Sequence, residues 1–217
     1  LASTGAIDVV TTAAPGIRDL LVLGRVKALE TMRAADLIVL DAPAAGHAVS
    51  FLQSPTGLRD AVGAGPIATQ ADDVLAMLAD PERCRVMLVT LAEETPVNEV
   101  IETAFALEDE IGVALGPVIV NGLVEVPEGL DGNLDALLTQ NAPKLSASDV
   151  AALRDAAAFR LRWAVRQREQ VARLSDSLPL AQLTTPQLFT SAPGPQDLET
   201  LADSLTVEIN KLTEDDA

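Results

Sequence analysis

Apolar residues are grouped along this chain in two alternating ways, as short continuous runs and as stripes at helical spacing. Pro15-Gly16 opens the first stripe, in which Ile17, Leu20, Leu21, Leu23, Gly24 and Val26 predict a helix with a broad apolar face. The run Leu37-Ile38-Val39-Leu40 follows, bounded by Asp36 and Asp41, and predicts a buried parallel strand. Ala48, Val49, Phe51 and Leu52 predict a short helix over 44–54. Pro55, Gly57, Gly63, Gly65 and Pro66 then predict a loop-rich excursion over 54–82, relieved by a turn of helix near 58–62 and a short helix over 72–79.

Beyond Pro81 the alternation is clearer. Arg85 to Thr90 reads as a strand. Thr95 as N-cap and Pro96 as first residue start a helix to about Glu110, with Val97, Val100, Ile101, Ala104 and Leu107 on its stripe. Pro117-Val118-Ile119-Val120 is the next strand and ends at Asn121-Gly122. Residues 125–147 are acidic and interrupted by Pro and Gly, with a short helix predicted near 134–139. Ser148 is the predicted cap of a long helix to about Ser175; 180–184 is the last strand, and 196–212 the closing helix. Strand alternating with helix predicts one α/β domain over 1–217, with a mostly parallel sheet flanked by helices.

Composition narrows the core. Aromatic residues are 2% of the chain (four Phe, one Trp, no Tyr) against 48% hydrophobic, so Leu, Val, Ile and Ala must fill the interior. The single cysteine, Cys84, excludes an internal disulfide and a paired-cysteine zinc site. No run has the length of a membrane span and no signal peptide stands at the start, so the expected compartment is the cytoplasm. A net charge of −17 disfavours nucleic acid and anionic lipid as partners. Against that background Arg154, Arg160, Arg162, Arg166, Arg168 and Arg173 fall on one helix. They read either as a solvated face or as a docking surface for an acidic partner.

Chemistry concentrates at Asp41-Ala42-Pro43-Ala44-Ala45-Gly46-His47. A strand that delivers a carboxylate to the rim of a sheet, followed by a small flexible turn, is how nucleoside-triphosphatases hold Mg²⁺ and sense the γ-phosphate. The phosphate-gripping half is absent: Lys27, Lys144 and Lys211 follow Val26, Pro143 and Asn210, and none precedes Ser or Thr. Taken alone, Asp41 also reads as a helix-capping carboxylate, His47 as a solvated loop histidine and Asn121 as a turn residue. Glu93 and Glu94 read as charges at a helix start.

Four segments in order resemble the ArsA-type family of P-loop ATPases, which includes arsenical pump ATPases and ATPases that target tail-anchored proteins. They are Ala14-Pro15-Gly16-Ile17, the Asp41 to His47 turn with Phe51-Leu52-Gln53, Ala92-Glu93 with Glu99, and Val118-Ile119-Val120-Asn121. The basic helix from Arg162-Trp163 to Leu174 also resembles the family's helix before its last strand. The turn departs from the family pattern: its Pro is displaced by one residue and two threonines are missing.

The resemblance implies a P-loop NTPase fold of the SIMIBI kind, here without its N-terminal part, as the non-Met start Leu1-Ala2-Ser3 also suggests. It implies ATP and Mg²⁺ as cofactors, Asp41 positioning the Mg²⁺-bound water shell, and Gly46 and His47 as the γ-phosphate-sensing turn. Asn121 would hydrogen-bond adenine, with Pro186 and Leu188 flanking the base. It further implies MgATP binding and hydrolysis coupled to a conformational cycle in a homo- or heterodimer with an ArsA-like subunit, with a possible protein client. Without a phosphate loop the 217-residue chain is not expected to hydrolyse ATP by itself. The alternative is a non-catalytic ArsA-like partner subunit that serves as a protein-docking module.

Overall fold

In the second half of the chain, three short strands line up in sequence order. The computed structural model describes residues 16–130, 136 and 145–215. Its backbone divides into two units, Leu1–Val86 with Glu102–Gly116 and Met87–Ile101 with Pro117–Ala217.

Besides its Glu102–Gly116 segment, the first unit contains three whole helices: α1 (Ile17–Thr31), α2 (Ala45–Val62) and α3 (Pro66–Leu78). Their inner faces bury Leu20 and Leu23 of α1, Phe51, Leu52 and Leu58 of α2, and Ala71, Val74, Met77 and Leu78 of α3. Gly24 leaves room on α1 for the Gln70 side chain, whose Nε2 would lie 2.0 Å from a Cβ at that position. Ion pairs tie the outer edges: Lys27 to Asp73 at 2.6 Å, Arg59 to Asp72 at 2.6 Å, and Arg83 to both Glu30 oxygens at 3.0 and 2.9 Å.

Two expectations fail in this unit. Residues 54–82 are not loop-rich, because α2 runs through Pro55 and Gly57 to Val62 and α3 starts at Pro66. Pro55 is buried in the packed face, where apolar contact offsets the backbone hydrogen bond its ring removes; the turn is confined to Gly63-Ala64-Gly65. Residues 36–41 form no strand, and Leu37 and Val39 are 78% and 81% exposed. An apolar run becomes a strand only against a neighbouring strand, and among the described residues none pairs with it.

The second unit carries the sheet: β1 (Val89–Leu91), β2 (Val118–Leu123) and β3 (Gln182–Pro186), parallel and in the order β1-β2-β3. Parallel neighbours need crossovers. One crossover contains α4 (Glu94–Ala106), which continues into a π turn at Leu107–Ile111; the other contains α5 (Ala147–Ser177). Helix α6 (Pro195–Asp215) follows β3 and is held to it by Ser204 Oγ donating to the Thr184 carbonyl at 3.2 Å and Thr184 Oγ1 donating to Glu208 at 3.1 Å. The fold is thus α/β, a parallel sheet flanked by helices.

Local chemistry sets the ends of these helices. Helix α4 begins at Glu94, one residue before the predicted cap Thr95. Helix α5 is capped by Ser146, not Ser148. Ser146 Oγ accepts the Asp149 N–H at 3.1 Å, and the Asp149 carboxylate accepts the Ser146 N–H at 3.1 Å. The Ser146 hydroxyl also donates to the Asp149 carboxylate at 2.7 Å, and this bond, followed by the one from the Ser146 N–H, holds the Asp149 carboxyl below its usual range. The short helix expected near 134–139 lies, apart from residue 136, outside the described residues.

On the buried side of α5, Gln167 stands among Ala157, Ala164 and Leu174 and is only 5% exposed. Its Nε2 donates to the Gly122 carbonyl at 3.0 Å and its Oε1 accepts the Val124 N–H at 2.8 Å. Gln167→Met keeps the length of the side chain but strands both backbone groups. It is expected to lower the unfolding free energy by about 2–4 kcal/mol in urea denaturation; a loss of less than about 0.5 kcal/mol contradicts this role.

In the first unit, Arg83 hydrogen-bonds the Glu30 carboxylate and holds its pKa below the ordinary value. A depressed carboxyl stabilises the fold above its unfolded pKa and loses that contribution as pH falls through the folded value. Arg83→Gln should return the Glu30 titration, followed by carboxyl ¹³C NMR, to the ordinary glutamate range. An unchanged titration would show that Arg83 is not the cause.

Candidate functional site

The carboxyl end of β2 is where the parallel ladder breaks. Val120 pairs with Thr184 but Leu123 pairs with Pro186, so β2 contains one extra residue at Asn121-Gly122. A bulge of this kind bends the strand and re-aims a side chain. Gly122 has φ 75°, and a Cβ there would also meet Gln187 Oε1 at 2.9 Å. Its carbonyl is the one held by Gln167, and the Gln187 N–H donates to the Leu123 carbonyl at 2.8 Å to resume the ladder.

Asn121 is exposed at this bulge. The buried Thr185 hydroxyl donates to Asn121 Oδ1 at 2.7 Å and accepts the Gly122 N–H at 3.4 Å. With its oxygen fixed in this way, Asn121 keeps its NH₂ and a second oxygen lone pair for a ligand. Pro186 and Leu188, both half-buried, lie at and just after the end of β3, so Asn121, Pro186 and Leu188 belong to one end of the sheet. Ligands of open α/β sheets bind outside the carboxyl ends of the strands.

Further side chains meet at this end. Arg160 of α5 donates from Nε to the Glu125 carbonyl at 2.8 Å and lays its guanidinium 4.9 Å from the centre of the Phe189 ring. Gln167, Thr185 and Phe189 were missed in the sequence, and Arg160 was read only as one of the arginines of the basic helix. For Gln167 a signal existed, since it shares the α5 stripe of Ala157, Ala164 and Leu174.

In the first unit, Asp41 lies in the irregular segment before α2, exposed to solvent, rather than at the rim of a sheet. Gly46 and His47 form the first turn of α2, whose N-cap Ala44 offers no side-chain acceptor. The His47 and Ala48 N–H groups donate to the Ala44 carbonyl at 2.8 and 3.0 Å. A Cβ at Gly46 would meet nothing within 4 Å, and His47 is exposed.

Among the described residues no three His, Cys, Asp or Glu side chains gather to hold a metal ion. A single carboxylate such as Asp41 nonetheless suits Mg²⁺, which keeps several waters and takes one or two carboxylates plus substrate phosphates. A cleft of about 670 Å³ opens between α1 and α3 beside Lys27, Thr31, Gln70 and Asp73, and none of the predicted site residues lines it. The Lys27–Asp73 pair satisfies its two charged groups with each other. Cys84, partly buried, has its thiol pKa raised by desolvation, which disfavours the thiolate. No helix among the described residues is long and apolar enough to cross a membrane.

No protein-family model matches the chain. It is, however, 29% identical over 201 residues to a protein named as an ATPase in Mycobacterium bovis and to ATPase BagA of Mycobacterium tuberculosis. Each match covers 84% of this chain and 58% of the relative, so the chain spans little more than half the length of these curated relatives. A protein named as an arsenical pump-driving ATPase in Halobacterium salinarum is 27% identical over 106 residues, 45% of this chain and 16% of that protein. The likeness is to ATPases, and over most of this chain.

Gly122→Ala tests the bulge. With φ 75° and Gln187 in the way, it should cost about 1–2 kcal/mol of stability and shift the Asn121 side-chain amide resonances. A variant as stable as the parent, with unmoved resonances, would show that the left-handed turn is not required.

Proposed function

We propose that this chain is part of an ATPase that couples MgATP binding and hydrolysis to a conformational cycle, contributing a switch segment and a base-reading strand end. The observation that carries the reading is Asn121, fixed by Thr185 at a bulge on the carboxyl end of a parallel strand, in a chain similar to proteins named ATPases. An Asn amide can pair with adenine on two atoms, donating to N7 and accepting from N6–H₂. The Thr185 bond selects which end of the amide is the acceptor. Pro186 and Leu188 supply apolar surface to the base.

In the first unit, Asp41 would position Mg²⁺ through its water shell. The α2 start at Gly46-His47 would receive the terminal phosphate chiefly on the Gly46 N–H, which no side chain caps, since the His47 N–H already donates to the Ala44 carbonyl. When bound, Mg²⁺ supplies charge neutralisation on the phosphate oxygens. Gly46 leaves open space for a close approach of backbone to phosphate, and His47 carries the imidazole that follows the presence of the γ-phosphate. The phosphate-gripping loop is supplied by another part of the full-length protein. The working assembly is a dimer with a similar subunit, and a protein client is its natural load.

The test uses the full-length protein and calorimetric titration with MgATP, MgGTP and magnesium tripolyphosphate. Asn121→Ala should weaken MgATP about tenfold or more and leave tripolyphosphate unchanged. Asp41→Asn should retain nucleotide binding but reduce hydrolysis about a hundredfold or more. No MgATP binding by the unaltered protein would overturn the ATPase reading and favour a non-catalytic docking subunit. Equal loss of ATP and tripolyphosphate in Asn121→Ala would remove Asn121 from base recognition.

A further inference from the structure

Only five of the 217 residues carry aromatic rings other than histidine, yet two of them stand together on the surface of α5. Phe159 is 60% exposed, and Trp163 lies one turn on with its ring centre 5.9 Å away. Arg162 and Arg166 share that face, completing an i, i+3, i+4, i+7 stripe. Both arginines are exposed and make no hydrogen bond or ion pair among the described residues, although the chain has 32 acidic side chains. Arg160 and Arg173 on the same helix are engaged, with Glu125 and Phe189 and with Asn98 and the Glu94 carbonyl. Asp155 and Glu169 border the stripe at its two ends, so its positive character is local. An exposed Phe and two exposed Arg around a half-buried Trp are the composition of a binding hot spot.

Helix α6 has the opposite surface. Ser204 and Glu208 bond to Thr184 of β3, while Leu198 and Ile209 are 61% and 48% exposed and lie with Ala202 along one side of the helix. Beside them stand Glu199 and Asp203, four residues apart, exposed and without a partner among the described residues. The helix has no arginine, and its one lysine, Lys211, pairs with Glu208. An i, i+4 pair of carboxylates next to Leu and Ala matches in spacing an i, i+4 pair of arginines next to Phe and Trp.

We infer that this chain self-associates by docking the Leu198-Glu199-Ala202-Asp203 surface of α6 of one copy onto the Phe159-Arg162-Trp163-Arg166 stripe of α5 of a second copy. The contact joins two different surfaces. If a two-fold axis closes it, it is made twice; otherwise it propagates. Repulsion between two chains of net charge −17 opposes it at long range. At physiological salt the Debye length is about 8 Å, so the arginine–carboxylate contacts and the buried rings decide the outcome. The contact gives the dimer of the proposed function an interface and rests on that reading in this respect; it needs no nucleotide, so association and MgATP binding are lost or kept in separate measurements.

Sedimentation velocity over a concentration series tests it in the absence of nucleotide. The unaltered chain should associate, and the double variants Arg162→Glu with Arg166→Glu and Glu199→Arg with Asp203→Arg should each weaken association about tenfold or more. Mixing the two charge-reversed variants should restore it, with a change in emission from Trp163, the only tryptophan. Circular dichroism checks folding, and Arg162→Ala with Arg166→Ala replaces any reversal that loses helix and should weaken association in the same direction. A chain that stays monomeric, association unmoved by the substitutions, or variants that fail to restore one another would each overturn the inference.

Discussion

Two hydrogen bonds from one buried side-chain amide, that of Gln167, close the backbone at the point where β2 leaves its ladder. A strand that ends inside a protein exposes carbonyl and N–H groups that must find partners, and each failure costs about 1–3 kcal/mol. Gln167 supplies an acceptor and a donor together, from a helix that already lies against the sheet. That permits the extra residue at Asn121-Gly122, the left-handed Gly122, and the exposure of Asn121 beside the buried Thr185. The candidate base site is therefore a consequence of how one strand end is satisfied, and α5 is the element on which it depends.

The first unit rests on a different balance. Its helices bury Leu, Val, Ala and Met with a single Phe, and its rims carry salt bridges whose partners are largely solvated. Exposed pairs of this sort contribute little to stability, so the apolar faces of α1, α2 and α3 hold the unit together. The segment with Asp41 lies outside that packing. In its apolar run Leu37 and Val39 are exposed and Ile38 is half-buried.

Periodicity alone revealed the elements whose apolar residues are buried by neighbours close in the fold. The strands near 89, 118 and 182 and the helices α4, α5 and α6 were legible within a few residues, because stripe, cap and breaker agree there. Residues 37–40 were misread because a strand is a property of pairing as much as of composition. Pro55 was misread because a proline signals a break only when nothing packs against it. At the site, Asn121 was visible as the residue ending an apolar run. Thr185 was not, since its partner lies 64 residues away in the chain; Gln167 showed only as a polar position on the α5 stripe, and its partner Gly122, 45 residues away, was not legible.

Base recognition by Asn121 is the claim on which the functional reading stands, and the most direct measurement is NMR of its side-chain amide in ¹⁵N-labelled full-length protein during titration with MgATP and MgGTP. Because Thr185 already holds the oxygen, binding of adenine should shift the Asn121 NH₂ resonances strongly and saturably with MgATP, and much less with MgGTP. Resonances that stay in place while MgATP binds, or that move equally with both nucleotides, would contradict it.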